Sequence, residues 1–396
     1  MALACGSAHA QAPGRAPGPA QAATDTMQRD AMDVLAHLLG RKPGPPTKAM
    51  PERKVLLTVL PAFSANPSVG LLLGVSGTAV TRLGPPPATN LTVLSASINF
   101  TTKNQMNLLL RSNVFLPRNR LKLEGDWRYL DTNQPTYGLG PAQPSSAEAN
   151  MDFRLLRLYE TVFFAVGPQT LIGPGYHLDY HFDIVDRRAQ SGPTPFLEYN
   201  GGQTVTSTTA SGLSFNALHD SRDNPINPTA GILVSASFRI FPKALGSDQT
   251  WQSLQGEVRV YPRLPGQRRR ILAFWGLAWL TFGTAPYLDL PAIGWDYANR
   301  SGRGYAQGRI RGTDMLYAEA EYRVTLSRNG LWGAAAFLNL TSASAPGART
   351  LPSPDLGGGI GLRVKLNKHS DTNITIDFAA GAQGSGGIFL GTGEAF

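Results

Sequence analysis

Beyond Lys54, apolar and polar residues alternate with a period of two. In the stretch from Leu121 to Tyr129, Leu121, Leu123, Trp127 and Tyr129 fall on one face while Lys122, Glu124, Asp126 and Arg128 fall on the other, as successive strand side chains must. The division recurs where Leu316, Ala318, Ala320, Tyr322 and Val324 oppose Glu319, Glu321 and Arg323. It recurs where Ile232, Val234, Ala236, Phe238 and Ile240 oppose Ser235, Ser237 and Arg239, and where Ile360, Leu362 and Val364 oppose Arg363 and Lys365. Punctuated by Gly, Pro and Asn clusters, this pattern predicts sixteen strands, near 54–63, 69–82, 89–101, 104–116, 120–131, 151–165, 169–184, 204–219, 230–241, 249–263, 269–284, 314–327, 331–342, 356–367, 371–381 and 385–396.

The connections between these strands are unequal. Every second one is a tight turn, such as 84–88, 117–119, 167–168, 265–267 and 328–330, whereas the long stretches 132–150, 185–203, 285–313 and 343–355 all fall on the other side. An even strand number with short turns at one end and long loops at the other predicts an all-β chain: a 16-stranded antiparallel transmembrane β-barrel over 54–396, with apolar faces toward lipid and polar faces toward the lumen. Pairing of the first strand with the sixteenth would remove the sheet edges that hydrocarbon does not tolerate. Trp127, Tyr129, Tyr261, Trp275, Trp279 and Tyr322 are expected in the aromatic girdles, and Phe396 inside the last strand.

Composition narrows the classes further. The longest apolar run, Ile271 to Gly283, stops at thirteen residues, short of the 18 or so that a membrane helix needs. The single cysteine, Cys5, excludes an intrachain disulfide. The formal charge of +9 points to an anionic partner surface. For Arg268, Arg269 and Arg270, at a barrel rim, that surface is lipid headgroup rather than nucleic acid. Residues 1–12 resemble the back half of a signal peptide with an A-x-A site at 8–10, and 13–53 a flexible segment with a short helix.

Three segments carry a resemblance. Asp220 to Gly231 (DSRDNPINPTAG) contains Asp220, Arg222, Asp223, Asn224, Pro225, Pro228 and Gly231 in the D-x-R-D-N-P-x-x-P-x-x-G order. The sixth long-side loop holds Arg303, Gly304 and Tyr305, then Arg309 and Arg311, and the chain ends GIFLGTGEAF. In these the chain resembles the bacterial surface antigen superfamily, the BamA/TamA-type outer-membrane barrels. The resemblance implies a loop six folded back into the lumen, a terminal strand signal at Phe396, and location in the bacterial outer membrane. It also implies participation in outer-membrane protein insertion or translocation through a seam between the first and last strands. A passive or gated pore, or a barrel anchor without transport activity, stands as the alternative. The segment before Lys54 is too short for a POTRA domain, which leaves client capture unaccounted for.

The residues give the loop a partner independently of the family. Glu319 and Glu321 face inward on strand twelve, where an arginine fork binds carboxylate bidentately. Arg303 is the first choice for that contact, with Arg309 and Arg311 as competitors. Asn339 occupies the strand-thirteen position where the family tends to carry an acid, so the contact is expected to lean on strand twelve. On strand seven, His177, Asp179, His181 and Asp183 share a face and are read as polar lumen lining, without metal, cofactor or catalytic role. Expected partners are outer-membrane lipid and lipopolysaccharide, with the barrel assembly machinery during the chain's own insertion; clients are unspecified and nucleic acid is not expected.

Overall fold

A computed structural model of the chain describes residues 28–38, 54–86, 88–264, 270–297, 299–348, 350–368 and 370–396. The signal-peptide reading and most of the N-terminal segment lie outside these residues. The strands are β1 (Leu56–Asn66), β2 (Gly70–Thr81), β3 (Thr92–Thr101), β4 (Met106–Phe115), β5 (Leu121–Thr136), β6 (Ala149–Gly167), β7 (Thr170–Asp186) and β8 (Thr208–Asp220), then β9 (Gly231–Phe241), β10 (Trp251–Tyr261), β11 (Arg270–Gly283), β12 (Asp314–Thr325), β13 (Trp332–Ala343), β14 (Asp355–Asn367), β15 (Thr372–Gly381) and β16 (Gly386–Thr392). Each pairs antiparallel with its sequence neighbours, and β1 meets β16 to close the barrel.

The period-two pattern sorts as the pleat requires. Leu71, Leu73 and Val75 of β2, Leu213 and Phe215 of β8 and Leu338 and Leu340 of β13 are exposed on the outer surface, whereas Lys122, Asp126 and Arg128 of β5 and Glu319, Glu321 and Arg323 of β12 are buried inside. An apolar belt this extensive suits hydrocarbon rather than water.

Four expectations need correction. Asp183 does not share the inner face with His177, Asp179 and His181. A register shift in the β6–β7 ladder opposite it and its positive φ of 51° turn its carboxylate outward, where it pairs with Arg154 at 2.6 Å, as a bulge re-aims a side chain. Tyr261, Trp275 and Trp279 are buried in the interior rather than placed in a girdle, while Trp127 and Tyr322 are exposed. Asn339 does face inward, but the loop contact draws on a third acid, Asp377 of β15, beyond the two of β12. Finally, Phe396 is not in a strand: β16 ends at Thr392, and residues 393–396 turn into the lumen, where Phe396 lies 5.4 Å from the Trp275 ring.

A short helix, α1 (Ala31–Leu38), fastens to the short-turn end. Its first turn is boxed by Asp33 N–H donating to Asp30 Oδ1 (2.8 Å) and Asp30 N–H to Asp33 Oδ2 (3.2 Å). Lys368, in the β14–β15 turn, donates through its backbone N–H to Asp30 and through Nζ to Asp33 (2.9 and 2.7 Å). A second helix, α2 (Pro195–Tyr199), packs Phe196 edge-on to Tyr287 inside the long-loop end.

Candidate functional site

The lumen is occupied by the β11–β12 connection, residues 284–313, which crosses from wall to wall. On the β5 side Arg128 donates to the Tyr297 carbonyl (3.2 Å) and the Asn299 side chain (3.0 Å), and Gln134 donates to the Gln307 carbonyl (3.0 Å). Near β1, Gln307 N–H donates to Ser68 Oγ (2.6 Å). On the opposite side the loop presents Arg303 to three buried carboxylates. Its guanidinium pairs with Glu319 and Glu321 of β12 and with Asp377 of β15 at 3.1 Å, and lies 3.5 Å above the Phe337 ring of β13. Asn339 donates to the Arg303 carbonyl at 2.9 Å, so its amide holds the loop backbone and not the guanidinium.

The cluster extends downward. Arg323 pairs with Glu321, and Arg363 of β14 pairs with Asp377 (2.5 Å) and with Glu394 of the inturned tail (2.8 Å). Arg323 also donates to the Phe396 carbonyl at 2.7 Å. One charge-assisted network thus joins the loop, β12, β14, β15 and the tail, and buried charges persist only when neutralised in this way.

Next to Arg303, Gly304 adopts a φ of 100°, and a Cβ there would stand 2.5 Å from the Ala380 carbonyl. Tyr305 follows into a slot of β14 and β15, its hydroxyl donating to the Leu356 carbonyl (2.6 Å) and accepting from Ala382 N–H (2.9 Å). The slot exists because Gly357 and Gly381 have no side chain; a Cβ at Gly381 would meet the ring at 2.5 Å. Gly381→Val is therefore expected to expel Tyr305 at a cost of about 1–3 kcal/mol. Trypsin should then cleave near Arg303 in refolded protein whose wild type resists cleavage there.

The other loop arginines stay within the long-loop end. Arg309 stacks 3.8 Å from the Tyr137 ring and donates to the Gln143 carbonyl, and Arg311 donates to the carbonyls of Tyr287, Leu288 and Leu290 (2.9, 3.2 and 3.3 Å). Neither touches Glu319 or Glu321.

The Asp220–Gly231 turn is stapled by its own side chains. Arg222 pairs with Asp220 at 2.8 Å, Asp223 accepts from the Thr229 and Ala230 N–H groups (2.9 and 3.1 Å), and Asn224 Oδ1 accepts from Ile226 N–H at 2.8 Å. Pro225 is half-buried and Pro228 buried, and Gly231 opens β9.

On β7, Asp179 is clamped by Arg157 (2.6 Å), His177 Nε2 lies 2.9 Å from Ser214 Oγ, and His181 Nδ1 is 3.8 Å from Asp289. The His177 Nδ1 atom has no partner among the described residues, so the acid that orients a catalytic imidazole does not stand behind it. No group of His, Cys, Asp and Glu side chains suited to a metal ion occurs among the described residues.

Comparison with known proteins places this geometry. The family model of the Omp85 superfamily domain matches residues 94–396. No curated protein sequence matches significantly. Among solved structures, BamA from Haemophilus ducreyi lacking POTRA domains 1-3 is similar over 94% of this chain and 81% of its own, with a TM-score of 0.56 and 14% identity. CdiB from Acinetobacter baumannii is similar over 86% of this chain and 65% of its own (TM-score 0.53, 11% identity), and CdiB from Escherichia coli over 87% and 63% (0.55, 10%). The chain thus spans less than two thirds of either CdiB, and at these identities the likeness concerns the fold.

Proposed function

The chain belongs to the Omp85 superfamily, and on that premise we propose that it is a bacterial outer-membrane barrel that assists insertion or translocation of other proteins through its β1–β16 seam. In this reading the short-turn end with α1 faces the periplasm, and the long loops face outward.

The observation that carries the proposal is the seam. Among the described residues Ala65 opposite Leu390 is its single paired position, reinforced by Ser64 Oγ donating to the Leu390 carbonyl at 2.8 Å, whereas β1 pairs with β2 along its full length. Extending that register by six residues would set Phe396 opposite Val59, yet the tail lies in the lumen. The edge of β1 from Leu56 to Pro61 is left exposed on both faces. An open edge in hydrocarbon is costly and offers an incoming strand a template for edge pairing. The plugged lumen favours this reading over a passive pore, since residues 284–313 fill the path a solute would take.

The test is folding of a urea-unfolded eight-stranded barrel protein into phosphatidylcholine liposomes with and without the refolded chain. Acceleration of about tenfold, equivalent to roughly 1.4 kcal/mol of barrier, is expected. An unchanged rate would remove the insertion reading and leave the anchor.

A further inference from the structure

Beneath loop six, at the short-turn end, the lumen holds a partly open chamber of about 210 Å³. It reaches from Tyr159 and His177 down to Arg222 and Ile226 of the β8–β9 turn, with loop residues Tyr297 and Arg300 as its roof and Phe396 in its wall. A cavity of this size, lined by both charged and apolar side chains, holds on the order of ten waters or a hydrated solute.

The charges that line it do not cancel locally. Of the four lining carboxylates, Glu124 is bound by Lys122, Asp126 by Arg128, Glu257 by Arg259, and Glu394 by Arg363. Arg239 of β9 has no carboxylate partner among the described residues. Its Nε donates to Ser237 Oγ (3.2 Å) and one terminal nitrogen to Gln255 Oε1 (2.8 Å), which leaves the Nη1 donors to the chamber. Among the described residues the Arg300 guanidinium donates to main-chain carbonyls, those of Thr392 (3.1 Å), Gly393 and Glu394, and makes no ion pair within 4 Å. Burial, followed by the neighbouring Arg259 guanidinium, draws Arg300 down to about 10. His177, 4% exposed, borders the same space with its unpartnered Nδ1. Guanidinium charge enclosed by a protein wall and lipid draws in a counter-ion, and the planar fork selects an oxyanion over a spherical halide.

We infer that this chamber binds an anion of the phosphate class, held by Arg239 and Arg300 with His177 beside them, and supplied either as free phosphate or as the phosphomonoester of a lipid headgroup. The site is independent of whether the barrel inserts clients.

Titration calorimetry on the refolded protein in nonionic detergent and chloride buffer tests it, with inorganic phosphate and glycerol-1-phosphate as separate probes. Saturable binding of either is expected. Affinity should fall about tenfold in Arg239→Gln and in Arg300→Gln, less in Arg239→Lys, and stay unchanged in Arg154→Gln on the outer surface. Binding of phosphate alone identifies the free ion as the source, and tighter binding of glycerol-1-phosphate identifies the headgroup. Heat-modifiable migration on gels verifies that each variant still closes its barrel. No saturable binding by the wild type, binding undiminished in both glutamine variants, or binding only of an acidic peptide would each overturn the inference.

Discussion

Arg303→Ala is expected to convert a silent barrel into a conducting one. The substitution leaves Glu319, Glu321 and Asp377 facing a space without their shared cation, although Glu321 keeps Arg323 and Asp377 keeps Arg363. Among the described residues Glu319 retains only the Tyr317 hydroxyl. Removing one partner of a buried charge cluster costs about 3–5 kcal/mol, and loss of the contact with Phe337 adds up to about 2 kcal/mol. The cost falls on the docked state of the loop, because the strands that carry the acids are held by their ladders. In planar bilayers the wild type should show no steady current, and Arg303→Ala frequent openings. Adding Glu319→Gln to Arg303→Ala removes the most poorly compensated charge and should restore part of the closed time, a coupling that independent sites would not give. A double variant no different from the single, or a single variant as silent and trypsin-resistant as wild type, would mean that the loop is held by its other contacts.

The strand count was legible because alternation and turn residues repeat along the whole chain, and because inward Glu319 and Glu321 sit beside Arg323 in an unambiguous phase. Phase fails where the alternation does. In β11, Arg270–Gly283, nearly every residue is apolar, so nothing in the sequence says that Ala273, Trp275, Leu277 and Trp279 face inward. They do because the loop and Phe396 give this part of the lumen an apolar filling. Asp377 was missed for a different reason. It meets Arg303 from β15, three strands along the same wall from β12, and alternation tells which face a residue takes but not which inward residues one loop side chain will join. Gly357 and Gly381 were visible as glycines, but a missing side chain does not announce which ring will occupy its place. Asp183 was misplaced because a single bulge inverts the faces on either side of it, and a bulge has no period.

A disulfide across the seam is expected to abolish assisted insertion while leaving the barrel intact. Ala65 and Leu390 are direct antiparallel partners, and such pairs stand about 4.5–5.5 Å apart at Cα, within the span a disulfide bridges. With Cys5 replaced by Ser, Ala65→Cys with Leu390→Cys should oxidise without moving either strand. It would covalently fix the one position where β1 already meets β16, so that Leu56–Pro61 could still accept a strand but the seam could not part to admit or release it. Oxidised protein should accelerate client folding no more than empty liposomes do, and reductant should return the rate to that of the cysteine-free parent. Conductance separates the two devices in the molecule. The disulfide acts on the wall and should leave the closed lumen of the wild type unchanged, whereas Arg303→Ala acts on the plug. Combined in one chain, Arg303→Ala with the oxidised seam should conduct yet fail to insert. If that chain still inserted clients at the parental rate, the route would run through the lumen and not through the wall.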